Sequence, residues 1–400
     1  MLLITSNKLM MELSHSKLQN LAEQRGSISV SIYMPAEKAG AETRKNSILF
    51  KNSISEAEKK LEQTDKATPE ITESLNSAKK YIDDHDFWQH QDLGLAFFIN
   101  TNSIEYYRLP YSFEGQVEIS DRFYLKPLLP LVTNDSKFYL LSLAQNQVQF
   151  FLGSHYSIKQ IELPESVPTS LAEALKYDDP EKQQQYHSGD PGKNPIYHGQ
   201  GVGTTDNKDE IKRFLQQVDS GLQEILKAEN TPLILAGVEF LLPIYHETNS
   251  YTNLLEKGIT GNPENVSPEK LHQQAWEIIE PHFADQRKQA IDNFGRLADT
   301  DEASSQIEQI VSAAVTGQVE TLFVAKNAQY KGEFDPQSNK VTIHSEPTLD
   351  SVDLVDLAAI KTYLQGGKVY ILDFQDMPDN TAMSAIFRYP VYSNATEVTR

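Results

Sequence analysis

The chain has 400 residues, no cysteine and a formal net charge of −20. At about 150 residues per domain, this length predicts two or three domains. The lack of cysteine excludes disulfide bonds, thiolate zinc sites and cysteine nucleophiles. The acidic balance repels phosphate backbones at long range, so any contact with RNA requires a local basic patch.

The sequence predicts a cytoplasmic protein with neither a membrane nor DNA as a partner. Its apolar runs are shorter than the roughly 18 residues needed to cross a bilayer. The N-terminal segment MLLITSNKLMMELSHSK lacks the basic start and continuous apolar core of a secretory signal.

The first predicted domain, residues 1–130, mixes helical and strand patterns. Apolar residues at helical spacing predict helices over residues 8–24, 44–61 and 69–84. Alternating or continuous apolar residues predict strands in SISVSIYMP, LGLAFFIN and IEYYRLP. The prolines in and before residues 114–132 predict irregular connections near a domain boundary.

The second predicted domain, residues 131–300, begins with three strands and continues with a long polar stretch. The strands are predicted at Phe138 to Leu143, Gln147 to Leu152 and Ser157 to Leu163. The polar stretch extends to about residue 207, and a strongly amphipathic helix follows at Asp206 to Ala228. A buried strand in PLILAGV, a short helix and a long helix from Pro268 complete the domain.

The third predicted domain, residues 301–400, reads as a small α/β/α unit. Helices are predicted over residues 301–316 and in LVDLAAIKTYLQ. Strands are predicted in VETLFVA and KVYILD, with MSAIFRYP as an edge strand. The whole chain is therefore expected to be a multidomain α/β (α+β) protein.

The stretch NPIYHGQGVGTTDNKDEIKRF contains the strongest candidate for chemistry. Glycines at this density allow positive φ and close approach of the backbone to another molecule. Gln200 supplies an amide that can hold a water against an ester carbonyl without a titrating group. On composition alone, an ordinary flexible glycine loop is the competing interpretation. The polar and basic groups in and just before the stretch are His198, Lys193, Lys208, Lys212 and Arg213.

These motifs resemble the middle and C-terminal domains of archaeal and eukaryotic class-1 peptide-chain release factors and of Pelota. A strand hairpin, a long loop with glycines and glutamine, and the helix IKRFLQQVDSGLQEIL follow in the same order. The segments LILAGVEFLLPIYHE, AWEIIEP, AAVTGQVETLFV, LAAIKTYLQGG and AIFRYP are similar to those of the bacterial archaeo-eukaryotic release-factor-like family. The resemblance covers roughly residues 130–400.

The resemblance implies a ribonuclease-H-like middle domain and a C-terminal domain like kink-turn-binding ribosomal proteins. It also implies a ribosome-associated factor that acts on peptidyl-tRNA in release or rescue. Because the N-terminal region does not look like a codon-reading domain, recognition of stop codons is not implied.

The loop of release factors carries Gly-Gly-Gln, whereas this sequence has Gly199-Gln200-Gly201. Gln200 matches the catalytic glutamine and Gly199 the glycine before it. His198 is a candidate to compensate for the other glycine, because histidine titrates near neutrality. Lys193, Lys208, Lys212 and Arg213 are expected to contact RNA phosphates.

Hydrolysis of the peptidyl-tRNA ester is one of three functions left open. The second is non-catalytic binding to the ribosome or tRNA, as in Pelota. The third is a metal-dependent hydrolase built on the histidine-bearing segments DDHDFWQHQD and IYHETN or on His272 and His282. Neither a cofactor nor a bound metal is predicted, because GxGxxG is incomplete and HExxH is absent.

Overall fold

The computed structural model describes residues 3–4, 13–63, 66–133, 137–178, 203–227, 230–346, 348 and 351–391. Backbone contacts divide the chain into two compact units. The first unit combines Met1–Thr133 with Gln286–Arg400, and the second is Asn134–Asp285. The division into three domains at residues 130 and 300 stays a prediction.

The first region forms a mainly antiparallel sheet with helices. Its strand order is β1-β4-β3-β2-β5, and within the described part of this sheet only the short β1 pairs in parallel, with β4. Thr68 caps the third helix by accepting a hydrogen bond from the Ile71 N–H. The elements are β1 (Leu3–Ile4), α1 (His15–Glu23), β2 (Arg25–Pro35), α2 (Arg44–Glu62), α3 (Pro69–Ala78), α4 (His85–Gln89), β3 (Gly94–Asn100), β4 (Ser103–Leu109), β5 (Gln116–Arg122) and α5 (Leu129–Val132).

The second region has the strand order β10-β9-β6-β7-β8. The strand β7 pairs antiparallel with both β6 and β8. The strand β9 pairs in parallel with β6, and β10 pairs in parallel with β9. This arrangement is the ribonuclease-H-like topology that the resemblance implied. The elements are β6 (Phe138–Leu143), β7 (Val148–Gly153), β8 (Ile158–Ile161), α6 (Leu171–Asp178), α7 (Gly203–Leu226), β9 (Leu233–Gly237), α8 (Leu241–Thr248), β10 (Ile259–Thr260) and α9 (Pro268–Leu297).

The third region is an α/β/α sandwich, as expected. Its main sheet has the order β11-β17-β12-β16. The C-terminal part of α9 covers one face through Phe294, while the two later helices cover the other. The elements are β11 (Ala303–Ser304), α10 (Ile307–Val315), β12 (Val319–Ala325), β13 (Lys331–Asp335), β14 (Lys340–Ile343), β15 (Val352–Asp353), α11 (Leu354–Leu364), β16 (Lys368–Leu372) and β17 (Met383–Phe387).

Three element predictions were wrong. Residues 116–122 form β5, which pairs along β2, although the nearby prolines suggested an irregular connection. The predicted helix over residues 301–316 is instead β11 followed by the shorter α10. The predicted edge strand β17 lies between β11 and β12, which explains why all five of its residues are buried.

The first and third regions share one apolar core. Every residue of β3 is buried, so the sheet needs cover on both faces. Phe97 points into a cluster with α2 and α3, whereas Phe98 points into a cluster with α1, α10 and α11. Alternating side chains of one strand therefore bury the sheet against α2 and α3 on one face, and against α1 and the third region on the other.

A buried ionic cluster lies in the same unit, between β5 and α11. Asp356 accepts hydrogen bonds from the backbone N–H groups of Leu125, at 2.7 Å, and Lys126. The Lys126 ammonium donates to the Ala328 carbonyl. Asp353 caps α11 by accepting from the Val355 N–H at 2.9 Å. The polar contacts therefore tie the segment after β5 to the start of α11.

Burial raises the pKa of the Asp356 carboxyl to about 7, and the neighbouring Asp353 adds to the shift. Burial also raises the pKa of Asp353 and lowers that of Lys126. The outer part of the cluster is a Glu118–Lys331 pair at 2.7 Å. Three carboxyls thus face two ammonium groups, so one retained proton makes the cluster neutral.

We expect Asp356 to make the unit less stable as pH rises from about 4 to about 7. Because the pKa of Asp356 is higher in the folded state than in the unfolded state, the folded state binds more protons than the unfolded state between these two pKa values. Unfolding therefore becomes more favourable as pH rises through this range. The difference in unfolding free energy between the protein and Asp356→Asn should change by up to about 1.4 kcal/mol per pH unit. This difference in unfolding free energy is measured by denaturant titration at each pH. Trp88 fluorescence reports unfolding, in proteins that also carry Trp276→Phe.

The matched control is Asp373→Asn, because Asp373 is exposed. It is measured over the same pH range for comparison. A pH-independent difference in unfolding free energy between Asp356→Asn and the parent protein would contradict the buried-proton assignment.

Candidate functional site

The helix α7 directly follows the glycine-rich segment in the sequence and belongs to the second unit. Its apolar stripe includes Ile211, Phe214 and Leu222, which pack in one cluster with the strands β6 and β9. The stripe matches the sequence prediction of an amphipathic helix. Ile211 is the first buried side chain that the structure describes on α7, whereas Lys208 and Asp209 are exposed.

The predicted catalytic residues Gly199, Gln200, Gly201 and His198 lie outside the described residues, as does Lys193. The helices on either side of them are described. The preceding α6 contacts α7, and its Ala174 is buried in the same cluster as Phe214. The described residues on both sides of this segment therefore belong to packed helices of one unit.

The predicted RNA-binding residues of α7 divide between two positions on the helix. Lys208 and Lys212 lie one turn apart and share a face, because residues four apart are neighbours on a helix. The Lys212 ammonium lies 3.5 Å from the Glu247 carboxylate, a pair between exposed groups that contributes little stability. Arg213 lies at the next position around the helix and is exposed.

Arg213 lines a shallow groove between α7 and the segment before α6. Gly221 lets this segment approach, since a Cβ there would lie 2.5 Å from a Val167 methyl carbon. The Ser166 hydroxyl donates to the Glu224 carboxylate at 3.2 Å. Amide, hydroxyl and guanidinium groups together offer several hydrogen-bond donors to a ligand. The lining residues are Ser166, Arg213, Gln216, Gln217, Ser220, Gly221 and Glu224.

Asp219 fixes α7 to the chain that follows α8, a role that the sequence analysis missed. Its carboxylate accepts hydrogen bonds from the Ser250 hydroxyl, at 2.6 Å, and the Ser250 N–H, at 3.2 Å. Burial, with a smaller effect of Asp219, keeps the pKa of the nearby Tyr245 hydroxyl above its usual value. A buried acid inside an apolar helical stripe was the signal that could have revealed this contact.

Asp84 and Asp92 of the segment DDHDFWQHQD, and also His272, make contacts within the fold. Asp84 caps α4 by accepting from the Phe87 N–H, and Asp92 pairs with Lys38 at 2.7 Å. His272 contacts the Ser154 carbonyl oxygen through Nε2 at 2.7 Å. Within the described ranges, His, Asp and Glu do not form a group of three that could hold a metal ion.

None of the described helices is both long and apolar enough to span a membrane.

We predict that Asp219→Ala loosens α7. Loss of the carboxylate removes the acceptor of the Ser250 hydroxyl and N–H, and each such hydrogen bond contributes about 0.5–1.5 kcal/mol. Hydrogen–deuterium exchange should therefore become faster in α7 and around Ser250. The control is Ser220→Ala, since Ser220 is the exposed neighbour on the same helix. Equal exchange in both variants would contradict the anchoring role.

Several solved structures resemble the chain, all at low sequence identity. Archaeal Pelota, from a ribosome-bound model with ABCE1, is 11% identical, with 96% of each chain covered and a TM-score of 0.40. Dom34 of S. cerevisiae, a translation termination-like factor, is 13% identical, with 73% of this chain and 74% of Dom34 covered and a TM-score of 0.34. The archaeal translation termination factor aRF1 is 12% identical, with 94% of this chain and 98% of aRF1 covered and a TM-score of 0.24.

No curated protein matches the sequence. One family model does match, over residues 138–281, which is roughly a third of the chain. The matched range runs from β6 into α9, so it contains the ribonuclease-H-like sheet, the segment Gly199-Gln200-Gly201 and α7. Over residues 138–281, the chain is therefore similar to bacterial archaeo-eukaryotic release factor family 7.

Proposed function

We propose that the protein is a cytoplasmic, ribosome-associated factor that acts on peptidyl-tRNA in release or rescue of stalled ribosomes. The observation that carries this proposal is the match of residues 138–281 to a release-factor family. The matched range includes both the glutamine-bearing loop and the helix behind it.

Gln200 is the residue that we assign to the reaction. Hydrolysis of the peptidyl-tRNA ester needs a water held against the ester carbonyl, and an amide can donate and accept hydrogen bonds for this purpose. Gly199 and Gly201 allow the close approach of backbone to substrate. His198 completes the proposed loop.

The geometry of α7 supports a role in carrying this loop. At 1.5 Å per residue, its 24 residues span about 36 Å. The buried stripe begins at Ile211 among the described side chains, whereas Lys208 before it is exposed. Lys208, Lys212 and Arg213 contact tRNA or rRNA phosphates in this proposal, as does Lys193 in the loop.

The order of the loop residues favours a second candidate function. Gly199-Gln200-Gly201 differs from the Gly-Gly-Gln order of the release factors that the sequence resembles. A factor with this loop can occupy the ribosome without hydrolysing the ester. The two functions share ribosome binding and differ in chemistry.

We predict that Gln200→Ala strongly reduces peptide release but leaves ribosome binding intact. Purified stalled ribosomes that carry labelled peptidyl-tRNA provide the release assay, and co-sedimentation at low salt measures binding. The change removes only the amide that positions water, so a loss of release of at least tenfold is expected. Gln273→Ala is the matched control, since Gln273 is an exposed glutamine on α9.

Three results separate the possibilities. Release that survives Gln200→Ala unchanged contradicts the role of Gln200. Co-sedimentation of the unmodified protein without release supports the non-catalytic function. Failure to co-sediment at low salt contradicts both functions.

A further inference from the structure

Three cationic side chains of the first unit lie together, and we call them the basic cluster. Arg25 begins β2 and Arg122 ends β5, where the two residues are direct partners across the antiparallel pair. Lys361 lies on α11 and is close enough to both arginines to be affected by their charges. A strand, its neighbour and a helix thus bring together residues far apart in the sequence.

The acidic groups near the basic cluster offset its charge only in part. The Arg122 guanidinium donates hydrogen bonds to both carboxylate oxygens of Asp121, with N–O distances of 2.9 and 3.2 Å. Arg25 reaches the same carboxylate at only 3.9 Å, and its side chain is 54% exposed. Glu23 is the carboxylate that favours the charged form of Lys361. Three cations therefore face two carboxylates, on a chain whose net charge is −20.

The cations repel one another in the folded protein. Like charges placed directly opposite on neighbouring strands are destabilising. Burial lowers the pKa of Arg25, and Arg122 lowers it further. Burial lowers the pKa of Lys361 as well, with contributions from both arginines. A bound anion would relieve this repulsion.

The ladder between β2 and β5 is irregular at this point. Its register shifts between Arg25 and Ser29, so Arg25 lies beyond the regular part of the pairing. Bulges of this kind change the direction of a side chain at the edge of a sheet. The Arg25 guanidinium is exposed and only weakly paired, and its planar fork matches the geometry of a phosphate.

We propose that the basic cluster binds RNA phosphates, as a second RNA contact on a unit separate from the one that carries α7. The choice of RNA as the anion rests on the proposed function, because the ribosome presents RNA phosphates at high density. Arg25 and Lys361 make the contacts, while Asp121 holds Arg122 in place beside them.

The test uses the full-length double variant Arg25→Gln/Lys361→Gln. One assay measures binding to a fluorescein-labelled single-stranded RNA by anisotropy over a series of salt concentrations. A second measures co-sedimentation with ribosomes. The control is Arg44→Gln/Lys340→Gln, which removes one arginine and one lysine from exposed positions elsewhere on the unit. Circular dichroism verifies that both variants fold.

We expect the double variant to bind RNA roughly tenfold more weakly, with a salt slope reduced by one to two, while the control matches the parent. Equal RNA binding by variant and parent would overturn the proposal. A third assay measures binding to poly-glutamate. If the double variant loses binding to poly-glutamate but keeps its binding to RNA, the proposal is also overturned, and the result indicates an acidic protein partner.

If the double variant fails to fold, Arg25→Lys supplies the readout, since it keeps the charge but not the bidentate fork. Weaker RNA binding by this variant supports the proposal, and unchanged binding overturns it. If the parent protein binds RNA through the basic cluster but does not co-sediment with ribosomes, this result supports the site and contradicts the proposed function.

Discussion

The architecture depends on the need of the first sheet to bury both of its faces. The fully buried β3 has apolar side chains on both sides, but the helices α2 and α3 cover only one of them. The other face packs with α10 and α11 from the last hundred residues or so of the chain. The first and third regions therefore form one compact unit. The residues between them in the sequence, Asn134–Asp285, form the other unit.

The second unit is organised around α7. The apolar stripe of this helix packs on the sheet, Asp219 binds the chain after α8, and Gly221 allows the segment before α6 to lie against it. These contacts hold the helix at several points along its length. The helices before and after residues 179–202 thus have positions set by packing, which is the support that the reactive role proposed for Gln200 requires.

Two clusters of charged side chains in the first unit differ in burial and in how far opposite charges compensate each other. Between β5 and α11, carboxyls and ammonium groups are buried together, and their hydrogen bonds tie the first region to the third. At Arg25, Arg122 and Lys361, cations are brought together with less compensation and partial exposure. The first arrangement connects regions of the fold, whereas the second concentrates positive potential on a chain with a charge of −20.

The sequence by itself determined the α/β class, the ribonuclease-H-like topology through its family resemblance, and most elements with strong periodicity, such as α7 and β12. It also singled out Gln200, because loop glycines and an amide are visible without any fold. Only the tertiary structure decided that the first and third regions share a core, that β17 is an inner strand, and that Asp219 is an anchor. The same holds for Arg25 and Lys361, which are more than 300 residues apart. Local patterns reflect local periodicity, whereas these features arise when distant segments pack, and spacing along a single sequence does not encode which segments meet.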